Sequence, residues 1–213
     1  MNAFQKEDGI VVPLDRANVD TDALIPKQFM KSIRRSGFGN NLFDEWRYLD
    51  RGIPGADCRG RPRNMAFSLN LPEYQGATIL LARDNFGCGS SREHAQWALR
   101  DYGIRVIIAP SFGDIFFGNC IKNGLLPVVL TATQVGTLFD AVLAAPGLRL
   151  VVDLGAQRVD CPGMAPLRFE LPSYLKTLLM EGKDEIDATM RFQEALLRYE
   201  DVRKTLEPWL FLR

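Results

Sequence analysis

The sequence has a single histidine, His94, in 213 residues, and that scarcity excludes more chemistry than any other feature of its composition. No metal centre built on several imidazoles can form, and an acyl-transfer triad would have to join His94 to a neighbouring serine. Cysteine is sparse as well. Cys58, Cys88, Cys120 and Cys161 are widely spaced, with no Cys-x-x-Cys pair and no nearby histidine to complete a zinc or cluster site, so free thiols in a reducing compartment are the simplest reading. Neither sign of charge is in excess: Lys+Arg and Asp+Glu both total 26, which leaves no net field to draw the chain to nucleic acid or an acidic membrane. The basic patch Arg59-Gly60-Arg61-Pro62-Arg63 is short and reads as a solvated loop. No apolar run approaches the roughly 18 residues of a membrane span. The opening MNAFQKEDG lacks the pattern of a signal peptide, and the expected location is cytoplasmic. A Walker loop, a Gly-x-Gly-x-x-Gly turn and a Gly-x-Ser-x-Gly elbow are all missing.

What the chain does have is apolar content of 46%, ample for a core, and a length that favours one domain, 1–213, with a helical C-terminal appendage from about 172 to 213. Residues 9–14 read as a short strand feeding a carboxylate-rich polar loop, 15–22. From 23 to about 62 the pattern is irregular, with one or two short helices, the clearest at 42–48. The centre is more regular. Three apolar, β-rich runs at 77–82, 105–109 and 126–130 alternate with helical segments, a βαβαβ pattern. The first of those helices spans 91–102 and is ended by Gly103, and the second is opened by Pro110-Ser111 and closed by Asn123-Gly124. Runs apolar on both faces imply strands covered by helices, as in parallel sheets. Beyond them come a surface helix at 133–145, a hairpin at 148–171 with Cys161-Pro162-Gly163 near its turn, and helices at 172–180 and 184–199.

The stretch Arg83-Asp84-Asn85-Phe86-Gly87-Cys88-Gly89-Ser90-Ser91-Arg92-Glu93-His94 joins the end of a strand to the start of a helix. That is where open α/β sheets bind ligands and where unpaired helix N–H groups attract anions. Gly87 and Gly89 let the backbone approach a ligand, and Arg92 can hold a carboxylate through two parallel hydrogen bonds. The same stretch has a plain structural use, because Ser90-x-x-Glu93 is also a capping box. His94 lies about one turn from Ser90 and either reaches it or is a buried structural histidine.

Residues 85–95, Asn-Phe-Gly-Cys-Gly-Ser-Ser-Arg-Glu-His-Ala, closely resemble the signature of the aconitase and isopropylmalate isomerase superfamily, in its swivel domain. Val19-Asp20-Thr21-Asp22-Ala23-Leu24-Ile25-Pro26 upstream, Leu42-Phe43-Asp44-Glu45-Trp46-Arg47, and Ile107-Ile108-Ala109-Pro110-Ser111-Phe112-Gly113-Asp114 downstream extend the likeness over most of the chain, toward the bacterial small subunits of that family. The resemblance implies an α/β swivel fold, with a mixed, partly parallel sheet flanked by helices and a β-rich accessory portion. It implies a hydro-lyase that isomerises 2-isopropylmalate to 3-isopropylmalate through isopropylmaleate in leucine biosynthesis, active only with a large subunit that carries the [4Fe–4S] cluster, with no metal held here. By the same carry-over Ser90 is the base that takes the proton next to a carboxylate, Ser91 and Arg92 bind the substrate, and Thr21 and Asp22 match a Thr-Asp pair near the active site. The loop 25–39, with Lys27, Lys31, Arg34 and Arg35, reads as a specificity element or as an exposed basic loop, and Arg47 as a partner contact or a local ion pair. Two other functions compete: a sibling subunit acting on homocitrate, citramalate or dimethylmalate, and a swivel-fold binding module without catalysis.

Overall fold

The computed structural model describes residues 3–31, 36–90 and 92–211. Strand β1 (Lys6–Leu14) serves two different partners along its length. Its second half, from Val11 to Leu14, pairs in parallel with β2 (Ile79–Ala82), while its first half, from Lys6 to Ile10, pairs antiparallel with β5 (Arg149–Asp153). The parallel side continues through β3 (Val106–Ala109) and β4 (Leu126–Val129), and the antiparallel side through β6 (Arg158–Asp160) and β7 (Leu167–Arg168). One seven-stranded sheet results, ordered β4-β3-β2-β1-β5-β6-β7. Burial follows the same division. Every residue of β2 and β3 is buried, so helices and loops cover both faces there, whereas in β5 only Leu150 and Val152 are fully buried, alternating with more accessible neighbours as expected of an antiparallel strand with one face covered.

The βαβαβ pattern is present as β2, α3 (Glu93–Tyr102), β3, α4 (Asp114–Lys122) and β4. Gly103 ends α3 as expected: with φ at 115° its N–H turns back to the carbonyls of Leu99 and Arg100. Helix α5 (Ala132–Ala144) starts at a capping box between Thr131 and Gln134, and it is more than a surface helix, since Val135, Leu138, Phe139 and Val142 are buried against β1, β2 and β3.

Several boundaries differ from the sequence reading, each for a physical reason. Helix α4 begins at Asp114 and not at Pro110, because Ser111 and Gly113 are held by the backbone of Phe86 (Phe86 N–H to Ser111 O, 3.0 Å; Gly113 N–H to Phe86 O, 2.9 Å). The expected hairpin is a three-stranded meander. Its first turn is residues 154–157, where Asp153 Oδ1 accepts the N–H of Ala156 at 2.8 Å, and Cys161-Pro162-Gly163 belongs to the second connection. The helix expected at 42–48 is the single turn α2 (Asp44–Arg47), entered through Phe43 at φ 52°. Arg47 makes no ion pair among the described residues. It is buried, and Nη1 donates to the carbonyls of Gly39, Asn40 and Leu42 at 3.1–3.4 Å, tying together the irregular backbone that precedes α2. The C-terminal helices are α6 (Ser173–Glu181), α7 (Glu185–Met190) and α8 (Gln193–Leu206); the helix expected at 184–199 is broken at residues 191–192, where no Gly or Pro marks the interruption. Among the described residues no helix is long and apolar enough to cross a membrane.

Candidate functional site

The loops that leave β1, β2 and β3 at their carboxyl ends are zipped together beyond the sheet. Asn18 N–H donates to Asp84 O (2.8 Å), Gly87 N–H to Val19 O (2.7 Å) and Asn85 N–H to the Ser111 hydroxyl (2.8 Å), while the Asn85 side-chain amide donates to Asn18 Oδ1 (2.8 Å). Two glycines make this approach geometrically allowed. Gly87 has φ at 74°, and a Cβ there would fall inside the Phe116 ring; a Cβ at Gly113 would lie 2.7 Å from the Gly87 carbonyl oxygen. The zipped loops lie beyond the carboxyl ends of the strands, the region where α/β proteins place their ligands.

Into this frame the short helix α1 (Thr21–Leu24) brings the Thr-Asp pair. Asp20 caps it, accepting the N–H of Ala23 at 2.7 Å. Thr21 is 2% exposed and grips the loop on both sides of Gly89: its N–H donates to Cys88 O at 3.2 Å and its hydroxyl donates to Ser90 O at 2.5 Å. The Ser90 residue itself is left exposed to solvent. Asp22, half-buried, faces Arg92. The guanidinium donates from Nη2 to Oδ2 at 2.8 Å and pairs through Nη1 with Oδ1, a two-pronged ion pair in which the Arg92 side chain is 11% exposed. The hydrogen bond from Arg92 holds the Asp22 carboxyl below its ordinary range against the cost of partial burial, and the charge of Lys27 adds to the effect.

Four of the residues singled out from the sequence therefore converge: Thr21 on Ser90, and Asp22 on Arg92, each across some 70 residues of chain. Ser91 lies outside the described residues. The capping box is not made, because α3 begins at Glu93 with Arg92 at its N-cap and no side-chain cap bond. Ser90 is thus two residues too early to cap. His94 sits among aromatic rings, edge-on to Phe38 (5.2 Å between centroids) and tilted on Trp97 (4.6 Å), which favours the structural alternative. Lys27 and Lys31 are exposed at the two ends of a 3-10 turn (Lys27–Lys31). That loop is pinned by Gln28 Nε2 to Gly52 O (2.8 Å) and, on its far side, by the N–H groups of Gly37 and Phe38 on Asp101 Oδ2 (2.6 and 2.9 Å); Arg34 and Arg35 fall outside the described residues. Asp101 was invisible in the sequence, since nothing local distinguishes it from any carboxylate on an α3 surface.

The four cysteines stand on four separate elements: Cys58 and Cys88 are half-buried in loops, Cys120 is buried in α4, where burial pushes its thiol well up, and Cys161 is buried after β6. They do not offer a cluster's ligand set, and among the described residues no three His, Cys, Asp or Glu side chains are grouped to hold a metal ion.

Residues 1–133 match the family model of the aconitase C-terminal domain. Over 212 residues, all of both chains, the sequence is 60% identical to the 3-isopropylmalate dehydratase small subunit of Magnetococcus marinus. It is 59% identical to that of Neisseria gonorrhoeae over 99% of both chains, and 56% identical to that of Dechloromonas aromatica over 99% of this chain and all of the other. The crystal structure of a 3-isopropylmalate dehydratase from Methanocaldococcus jannaschii superposes with a TM-score of 0.62 at 22% identity, covering 92% of this chain and 99% of that one, which speaks to the fold.

Proposed function

The chain belongs to the aconitase C-terminal domain family, among the small subunits of 3-isopropylmalate dehydratase, and from that premise we propose how its own residues take part in the reaction. The enzyme is a hydro-lyase of leucine biosynthesis that moves a hydroxyl from one carbon of isopropylmalate to the next through isopropylmaleate. In our reading Ser90 is the base. Its oxygen takes the proton from the carbon beside a carboxylate, the C–H electron pair becomes the new double bond, and the proton returns from the same oxygen in hydration. Arg92 grips a substrate carboxylate with the two-pronged geometry it now shows toward Asp22, which fixes the carbon to be deprotonated. Thr21 sets where Ser90 stands. Lys27, whose charge reaches Asp22, and Lys31, exposed on the same turn, meet the entering diacid in this reading.

A serine hydroxyl is a poor base in water, so its alkoxide needs positive charge and a dry pocket. The Arg92 guanidinium and the N-terminal N–H groups of α3 supply the first. The second must come from a companion, since Ser90 is exposed here. That companion is a large subunit, which in this reading carries the [4Fe–4S] cluster whose Lewis acidity assists departure of hydroxide; the scattered cysteines of this chain do not suit that task. The balanced charge gives no ground for a nucleic-acid partner, and we place the enzyme in the cytoplasm.

The observation that carries the reading is the convergence of Thr21 and Asp22 on Ser90 and Arg92. Its test is Ser90→Ala, co-produced with the large subunit under anaerobic conditions. Normal assembly with turnover lowered about 10²–10⁴-fold, the usual worth of a general base, is expected. Undiminished turnover would remove Ser90 from the mechanism.

A further inference from the structure

We propose that the C-terminal arm, residues 186–211, docks onto the large subunit through the apolar stripe of α8; this rests on the reading that the chain works in such a pair. Helix α8 buries none of its residues and packs chiefly on the Pro208–Leu210 turn that follows it. Its sequence is nevertheless amphipathic. At about 100° per residue, Phe192, Ala195, Leu196, Tyr199, Val202 and Leu206 fall within an arc of roughly 120°, Glu194, Asp201 and Lys204 lie opposite with Leu197 among them, and Arg198 stands on the flank. Arg203, the one charged residue within the stripe, lies over the Tyr199 ring and pairs with Glu207. Helix α5 shows what such a stripe is for: of similar length, it buries Val135, Leu138, Phe139 and Val142 on the sheet. The same kind of face on α8 is bare.

The exposed area is that of an interface. Phe192, Tyr199, Trp209 and Phe211 are 43–64% exposed, so the aromatics alone offer on the order of 400 Å². Leu196, Val202, Leu206 and Leu210, all exposed, bring the total toward roughly 800 Å², one partner's share of a standard interface and more than a monomer usually leaves in water.

Two features select the large subunit as occupant over a second copy of this chain. The stripe is wider than the narrow seam two helices share, and suits a helix laid into a groove on a larger body. It is also continuous with the face that must be closed. A groove of about 830 Å³ is lined by Phe117, Ile121, Tyr174 and Leu178 and by two residues that tie it to both regions: Asp114, next in the chain to Gly113, which is bonded to Phe86 in the site loop, and Arg191, next in the chain to Phe192 of the stripe. A body that closes over Ser90 reaches the groove and then α8.

The test compares the full chain, a stripe variant with Leu196→Glu and Val202→Glu, and a control with Gln193→Glu and Thr205→Glu, which adds the same charge to the polar face. Dissociation constants for the purified large subunit, unfolding temperatures, and the mass of the isolated chain are measured for each. The stripe variant is expected to bind the large subunit roughly tenfold or more weakly, with an unchanged unfolding temperature and with turnover restored at saturating partner, while the control binds normally. In the unmodified complex the α8 amides gain protection from hydrogen exchange. Equal binding by all three, without that protection, overturns the proposal. So does a stripe variant that merely converts a dimer of the isolated chain to monomer while its affinity for the large subunit is intact, because the stripe then serves a second copy. Failure of the unmodified chain to bind at all would strike the functional reading instead, and is told apart by that.

Discussion

Replacing Thr21 by Val isolates the contact on which the position of Ser90 depends. Valine keeps the β-branched shape inside a site that is 2% exposed but exchanges the hydroxyl for a methyl. The hydroxyl now stands 2.5 Å from the Ser90 carbonyl oxygen, whereas a carbon at that place requires about 3.3–3.6 Å. The carbonyl must therefore retreat by roughly 1 Å, and a displacement of that size at a reacting group costs on the order of 10²-fold in rate. The lost hydrogen bond is worth about 1–2 kcal/mol, which in a chain of this length lowers the unfolding temperature by about 3–6 °C. Turnover of the reconstituted enzyme, followed by formation of isopropylmaleate, should show kcat down about 100-fold with KM within a few-fold, because the Arg92 fork is untouched. Thr21→Ser, which restores the donor, should recover most of the rate. Full kcat in Thr21→Val alongside the expected thermal loss would mean that the bond stabilises the fold without aiming Ser90, and an equal loss in Thr21→Ser would sink the hydrogen-bond argument altogether.

Gly87→Ala places a methyl in the Phe116 ring and an L-residue at φ 74°; overpacking and backbone strain together predict a loss of about 2–5 kcal/mol in denaturant unfolding of the isolated chain. The Asp22 carboxyl titrates below its ordinary 3.8, so the Asp22–Arg92 pair stabilises the fold fully above that pH and is lost as pH falls through the lowered folded value. The stability difference between the unmodified chain and Asp22→Asn should accordingly be flat from about pH 5 to 8 and close in acid. It should also be small, of order 0–1 kcal/mol, because the Asp22 side chain is 45% exposed to water.

What could be read from the sequence was whatever is coded by local periodicity or by a contiguous motif. The runs at β2, β3 and β4 are apolar throughout because both sides are covered, and Gly103 ends α3 because only a residue at ease with positive φ can turn there. The contiguous motif around Ser90 likewise marked the loop on which Thr21 and Asp22 converge. Pairings across the chain were not legible. That β1 splits its length between a parallel and an antiparallel neighbour follows from where β5 arrives, some 140 residues later. The start of α4 was misplaced because Ser111 and Gly113 answer to Phe86, which no pattern near Pro110 records. Arg92 was legible as a two-pronged carboxylate binder, and the geometry is there, but the carboxylate it holds is that of Asp22.

That last difference bears on how the proposed reaction begins. With Asp22 in its fork, Arg92 has its charge neutralised, and Ser90 stands in water; both conditions oppose an alkoxide. A substrate carboxylate can take Asp22's place at little net cost, since it offers the same two acceptors, and the pair it breaks is half in solvent and worth at most about 1 kcal/mol. Exclusion of water is a separate requirement, because among the described residues no element covers Ser90. On either side of residues 32–35 the chain is anchored, by Gln28 to Gly52 and by Gly37 to Asp101. In the proposed reaction substrate binding therefore frees the arginine, a second body closing over Ser90 makes the serine basic, and the isolated chain should neither consume nor form isopropylmaleate even at saturating diacid.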